Sequence, residues 1–227
     1  MSRVILDIET VGREFASLDK EMQNYFLRWA ETEDEVQEVK ESLSLYPLTG
    51  EVVAIGMLNP DTMKGAVYYG MPGDPLLPFE EDGITFQAGN EKEILQRFWD
   101  TVKGYDQIIT FNGRSFDCPF LMIRSAVHKL KPSRDLMPNR YNGAHIDLLD
   151  QLTFYGATRR KFSLDMWCRT YGIKSPKSEG ITGYEVKGLF TSGRYIDIAK
   201  YCLGDLRATR ELLGYWENYI RFSADKS

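Results

Sequence analysis

The chain of 227 residues has only three cysteines, Cys118, Cys168 and Cys202, and only two histidines, His128 and His145. An odd number of widely separated cysteines excludes a disulfide framework, and so few Cys and His exclude a Cys-rich zinc site. Long apolar runs are missing too. Nothing approaches the roughly 18 to 20 uncharged apolar residues of a membrane span, and MSRVILDIET has neither the basic nor the apolar region of a signal peptide. These absences predict reduced thiols and a cytoplasmic protein that starts at Met1, with no membrane partner. There are no internal repeats and no low-complexity segments. Basic residues are outnumbered, 28 Lys/Arg against 33 Asp/Glu, for a net charge of −5. The deficit is uneven: residues 1–110 hold 9 basic and 21 acidic groups, a net of −12, whereas residues 111–227 carry +7. A basic half keeps a phosphate-bearing partner open despite the acidic total.

What is present is 43% hydrophobic and 13% aromatic, which excludes extensive disorder and suffices for one well-buried domain over residues 1–227. RVILDI (3–8) reads as a strand, and EVVAIGMLNP (51–60) and KGAVYYG (64–70) as a hairpin turned at Asn59-Pro60-Asp61. QIITF (107–111) is a buried-type strand ending at Asn112-Gly113, after which Ser115 is placed to cap a helix through about His128. HIDLL (145–149) is a further strand candidate. Helical spacing of apolar residues marks 91–102, 163–171 and most clearly 194–220, and SADKS (223–227) reads as a frayed tail. The alternation of strands and helices predicts an α/β domain with a mixed sheet. An insertion over about 13–46 has its own helical pattern. Leu18, Met22, Phe26 and Trp29 share a face, and Thr32 with Glu35 makes a capping box before Val36, Val39 and Leu43. It reads as a helical hairpin, strongly acidic in its second arm, that is a solvated surface decoration or else a lid or partner-docking element.

Asp7 and Glu9 are two apart on a strand, so both emerge from one face, and side by side they repel unless a cation sits between them. A strand end reaching solvent would look the same. Asp117 falls in the first turn of its helix, where the helix dipole favours an acid in any protein. Strand ends and helix starts on one edge of an α/β sheet are also where ligand sites gather. Tyr201 and Asp205 are four apart on one helix face, and of 13 tyrosines only Tyr201 has an Asp four residues later. Gly204, beside Asp205, costs about 1 kcal/mol in a helix interior relative to Ala and so marks a close approach. Four acids and a tyrosine from three segments would form an oxygen-only site selecting Mg²⁺ or Mn²⁺, suited to phosphodiester hydrolysis with two metal ions.

The segments ILDIET (5–10), FNGRSFD (111–117) and YCLGD (201–205) resemble, in order and spacing, the three motifs of the DEDD exonuclease superfamily. Tyr201, with Lys200 in place of a histidine before it, places the chain in the tyrosine subclass. It is most similar to the predicted bacterial exonucleases related to the proofreading domain of family B DNA polymerases. PLTGEVVAIG (47–56), HIDLLDQLTFYG (145–156) and FSLDMWC (162–168) extend that likeness along nearly the whole chain. The resemblance implies a ribonuclease H-like fold and removal of nucleotides from the 3′ end of single-stranded nucleic acid, DNA ahead of RNA, with links to proofreading and DNA repair. It also implies that Asp7, Glu9 and Asp205 bind one divalent ion, that Asp7 and Asp117 serve a second, and that Tyr201 orients the attacking water with Glu9. Thr10, Asn112 and Phe116 become candidates for contacts to the terminal nucleotide. The exposed-type cluster Arg159-Arg160-Lys161 is a candidate for the substrate's phosphates or else a solvated face. His128 and His145, with Asp147, Asp165 and Asp197, read as structural. Two other readings stand beside this one: a ribonuclease D-like enzyme trimming RNA, and a non-catalytic nucleic-acid-binding module.

Overall fold

The structure, a computed structural model, describes residues 1–73, 76–174 and 185–222; the expected frayed tail lies outside them. β1 (Arg3–Gly12) runs through a seven-stranded mixed sheet. Its partner β2 (Gly50–Leu58) turns into β3 (Gly65–Gly70) as expected, with Asn59 Oδ1 accepting the backbone N–H groups of Asp61 (2.9 Å) and Thr62 (3.0 Å). Beyond β3 lie β5 (Ile84–Gly89) and β4 (Phe79–Glu81), and on the other side of β1 are β6 (Gln107–Thr110) and β7 (His145–Asp147). The order across the sheet is β4-β5-β3-β2-β1-β6-β7, with β1, β6 and β7 parallel and β1, β2 and β3 antiparallel.

Because β1 is covered on both faces, its apolar residues run almost continuously. Val4, Leu6 and Ile8 pack against α3 (Glu91–Val102) and α4 (Asp117–Val127), in a core that holds Phe98, Trp99 and Phe120. Ile5 and Val11 face the opposite layer: α5 (Leu148–Leu152), α6 (Leu164–Tyr171), α7 (Val186–Thr191) and α8 (Tyr195–Tyr219). Each large side chain fully buried here contributes about 1.5–3 kcal/mol. The α3/α4 layer is also pinned by a buried ion pair. Arg124 Nη2 lies 2.6 Å from Glu91 Oε2, and His128 Nε2, at the end of α4, meets the same oxygen at 2.6 Å. The insertion forms α1 (Lys20–Leu27), capped by Asp19, and α2 (Glu33–Ser42), opened by the expected Thr32/Glu35 capping box.

Three expectations need correction, and one element was missed. Trp29 is 79% exposed and does not join Leu18 on the packed face, because α1 ends at Leu27 before the helical register reaches it. HIDLL is a strand only as far as Asp147, whose side chain accepts from Leu149 N at 3.0 Å and starts α5. Ser115 does not cap α4: the helix begins at Asp117 and its N-cap position is Phe116, without a side-chain cap. The β4–β5 hairpin was not anticipated, although Asp82 (φ 52) and Gly83 (φ 77) form the left-handed two-residue turn that an Asp-Gly pair signals.

Candidate active site

Asp7 and Glu9 lie on the face of β1 turned toward α8. That helix comes unusually close because Gly56, the residue paired with Asp7 on β2, has no side chain. A Cβ there would lie 2.6 Å from Leu206 Cδ1 and 2.7 Å from Cys202 Sγ. Cys202 fills the space so created, its thiol donating to Asp7 Oδ2 (3.6 Å) and Asp7 O (3.7 Å). The approach carries Tyr201 and Asp205 up to β1, where the charges of Asp205, Glu9 and Asp7 all act on the Tyr201 phenol. The pairing register of β1 with β2 shifts between Glu9 and Thr10, so the strand is distorted at the acids themselves.

Asp117 arrives from the other side of β1. β6 pairs with β1 only as far as Ile5, which leaves the Ile8 N–H uncovered, and Asp117 Oδ1 accepts it at 3.0 Å. The loop that delivers α4 is held by Asp147, whose carboxylate accepts from Asn112 N (2.8 Å) and Arg114 N (2.9 Å). Asn112 turns with φ 62, a conformation Asn tolerates better than most residues, and Gly113 is obligatory because a Cβ would stand 2.4 Å from that of Thr110. Asp147 therefore has the structural role expected of it. Asp165 and Asp197 likewise pair locally, with Arg169 (2.9 Å) and Arg194 (2.6 Å). His145 is buried between Thr110 Oγ1 (2.8 Å) and Leu136 O (2.9 Å), and burial holds its pKa down at about 4, which suits a neutral core imidazole.

The acids act strongly on one another. Withdrawal from solvent, followed by the charges of Asp205, Asp117 and Glu9, raises the Asp7 carboxyl well above its usual range. Burial and the charges of Asp205 and Asp117 do the same to Glu9. Asp117 is pushed up to about 7, mainly by burial and then by Asp147 and Asp205, against the lowering effect of its backbone hydrogen bonds. Burial and the same carboxylates raise the Tyr201 phenol and the Cys202 thiol. Among the described residues no Lys or Arg forms a salt bridge with Asp7, Glu9 or Asp117. Ligand atoms of Asp7, Glu9 and Cys202 lie within 4.8 Å of one another. Asp7, Glu9, Asp117 and Asp205 supply four carboxylates against the single thiol of Cys202, and a donor set dominated by oxygen fits hard divalent cations.

The remaining sequence candidates are more dispersed. Thr10 Oγ1 donates to Ser44 O (2.7 Å), tying the insertion to β1, and lines a cavity of about 570 Å³ with Phe15, Lys40 and Lys187. Phe116 packs against Phe120 (ring centroids 5.5 Å apart) at the edge of the α3/α4 core. Arg159, Arg160 and Lys161 are exposed on the loop between α5 and α6, with Arg160 over the Phe162 ring at 5.5 Å. Sequence reasoning missed Gly56 and Cys202; a glycine inside an apolar strand was the available signal for the first.

No helix of the described residues is long and apolar enough to cross a membrane. The chain is similar to DNA polymerase 1 of Saccharolobus solfataricus, 26% identical over 135 residues, or 52% of this chain and 15% of the relative. It is also similar to DNA polymerase 1 of Sulfurisphaera ohwakuensis, 25% identical over 150 residues, 62% of this chain and 17% of the relative. It thus spans under a fifth of the length of the curated relatives it matches. The family B DNA polymerase from the hyperthermophilic archaeon Pyrobaculum calidifontis superposes with a TM-score of 0.59 at 18% identity, over 96% of this chain and 24% of the other. That likeness establishes the ribonuclease H-like fold. Residues 79–222, which include the loop and helix carrying Asp117 and the helix carrying Tyr201 and Asp205, match the family described as "predicted 3′-5′ exonuclease related to the exonuclease domain of PolB". The chain therefore belongs to this family of exonucleases related to the proofreading domain of family B DNA polymerases.

Proposed function

We propose that residues 1–227 form one tyrosine-type DEDD exonuclease unit that hydrolyses phosphodiester bonds at the 3′ end of single-stranded nucleic acid, DNA in preference to RNA, using two divalent cations, Mg²⁺ or Mn²⁺. The observation that carries this reading is the convergence of Asp7, Glu9, Asp117 and Asp205 at one end of the sheet, each acting on the titration of its neighbours. Like charges so placed destabilise the fold unless a cation offsets them. Asp7, Glu9 and Asp205 would hold one ion and Asp7 with Asp117 the other. When bound, the ions supply the positive charge that acidifies a water and neutralises the leaving oxygen. Tyr201 stays a phenol throughout the physiological range, so it serves as a hydrogen-bonding group that positions the water beside Glu9, not as a base. Thr10, Asn112 and Phe116 are assigned to the terminal nucleotide, and Arg159, Arg160 and Lys161 to phosphates. The similarity to DNA polymerases supports DNA as the substrate.

The test has two readouts. Hydrolysis of a labelled oligonucleotide should stop in excess EDTA and return with Mg²⁺ or Mn²⁺. Independently, Mn²⁺ should raise the melting temperature, by the equivalent of about 2.7 kcal/mol at a hundred times its Kd, and Asp7→Asn should remove most of that rise. Undiminished hydrolysis in EDTA would overturn the metal reading.

A further inference from the structure

At the end of the sheet away from the carboxylates, a cavity of about 370 Å³ opens between the β7 edge, the turn after α5 and the C-terminal end of α8. Its walls are aromatic and cationic, with Tyr141, Phe154, Tyr155 and Phe222 beside Arg140 and Arg221. Tyr141 is 72% exposed and Phe154 59%, so these rings are displayed and not packed. The backbone that displays them is unusual: Phe154 (φ 49) and Tyr155 (φ 56) are consecutive bulky residues in the left-handed region, which residues with a Cβ rarely adopt and which gathers at functional sites. Tyr155 is fixed by its ring contact with Tyr141 (centroids 5.0 Å apart) and by Gln151 Nε2, which donates to its hydroxyl at 2.8 Å.

Positive charge leads from the acidic centre to this cavity. Arg114 lies in the loop that delivers Asp117, Arg140 pairs with Asp150 of α5 at 3.0 Å next to the cavity wall, and the charges of Arg114 and Lys161 also act on that carboxylate. The distance is set by α8. Asp205 and the cavity residue Trp216 are both on this helix, about 16 Å apart at roughly 1.5 Å per residue. A strand that keeps duplex-like stacking advances about 3.4 Å per nucleotide and covers that distance in about five nucleotides.

We propose that this cavity is an upstream binding site for the substrate strand, where unpaired bases about four to six nucleotides from the 3′ end stack on Tyr141, Phe154 and Tyr155 while Arg140, Lys161 and Arg221 follow the phosphates. The proposal rests on the exonuclease reading of the acidic centre. Every base has a π-face, so such a site is tolerant of sequence, while bases inside a duplex have no free face to offer it. The site therefore selects single strands long enough to reach it.

The test is kcat/KM for oligothymidylates of three to ten nucleotides. The wild type should show a step near five or six. The double variant Phe154→Asn, Tyr141→Ser, in which Asn accommodates the left-handed backbone, should reduce the step by about five- to a hundredfold. A decamer with abasic sites at the fourth to sixth positions should lose the step in the wild type as well. A flat length profile, an abasic decamer cleaved like the intact one, or a variant that loses trimer and decamer cleavage equally would overturn the site. A flat profile with concentration-dependent dimerisation that the variant abolishes would assign the face to a second copy instead. Absence of hydrolysis at every length would instead overturn the exonuclease reading, so the two failures are distinguishable.

Discussion

Asp7 sits among groups that raise its pKa, and the roles assigned around it differ in kind. On the proposed roles Asp7→Ala removes a ligand shared by both ion positions, so turnover should fall below detection while circular dichroism stays native. Tyr201→Phe removes one positioned hydroxyl, which should lower kcat by roughly 10²–10³ and leave Mn²⁺ binding intact. Equal kcat for Tyr201→Phe and wild type would contradict the water-positioning role, and loss of Mn²⁺ binding would make the residue structural. His145 gives a prediction outside the site. Its pKa is depressed from 6.5 to about 4 by burial, so the unfolded chain takes up a proton first as pH falls. The stability this group contributes is present above pH 6.5 and is lost on going down toward pH 4, by about 3 kcal/mol. Urea titrations over that range should show His145→Gln losing less stability than wild type; parallel pH profiles would contradict the buried neutral assignment.

Among elements, the placement of α8 against β1 and β2 decides whether the site assembles. Gly56→Val puts two methyl groups where Leu206 and Cys202 now lie. Overpacking of this kind costs about 1–3 kcal/mol, and by displacing α8 it should lower kcat beyond what the stability loss explains. A destabilised Gly56→Val with wild-type kcat at low temperature would mean that the carboxylates tolerate the shift. The elements around this contact differ in how far they were legible in the sequence. β1 and the β2–β3 hairpin are nearly continuous apolar runs and α3 and α8 are long and periodic, so their burial is written in residue order. The alignment of Asp7 with Glu9, and of Tyr201 with Asp205, follows from the two-residue repeat of a strand and the i, i+4 spacing of a helix. HIDLL misleads because an apolar run fits a strand and a buried helix equally; only the cap from Asp147 to Leu149 separates them. Ser115 has the right chemistry for a cap, but Asp147 and the left-handed Asn112 hold the loop so that α4 starts one residue later. Gly56, Cys202 and the Glu91–Arg124 pair act across the fold, and no local pattern announces contacts of that range.

At the scale of the whole molecule, charge is divided: the acidic insertion and N-terminal half stand against a basic C-terminal half. An acidic centre repels an approaching phosphate, so capture of a strand needs positive charge nearby. Replacing Arg159, Arg160 and Lys161 by Gln should weaken oligonucleotide binding in Ca²⁺ and flatten the slope of log K against log salt by up to about 2, at about 0.7 per phosphate contact. Neutralising acids within 31–41 should change that slope far less. Superimposable slopes for the triple variant and wild type would leave the cluster as solvated surface. The central claim, that the four carboxylates cut nucleotides from a 3′ end with the help of divalent ions, is tested most directly by one digestion. Single-stranded DNA labelled at its 5′ end is incubated with Mn²⁺, with and without a blocked 3′ terminus, and the products are resolved by length. The account predicts a ladder of labelled fragments shortening one nucleotide at a time, absent with the 3′ block and absent with Asp7→Ala. Release of the 5′ label as a mononucleotide, internal cuts in the 3′-blocked strand, or a ladder that persists with Asp7→Ala would contradict it.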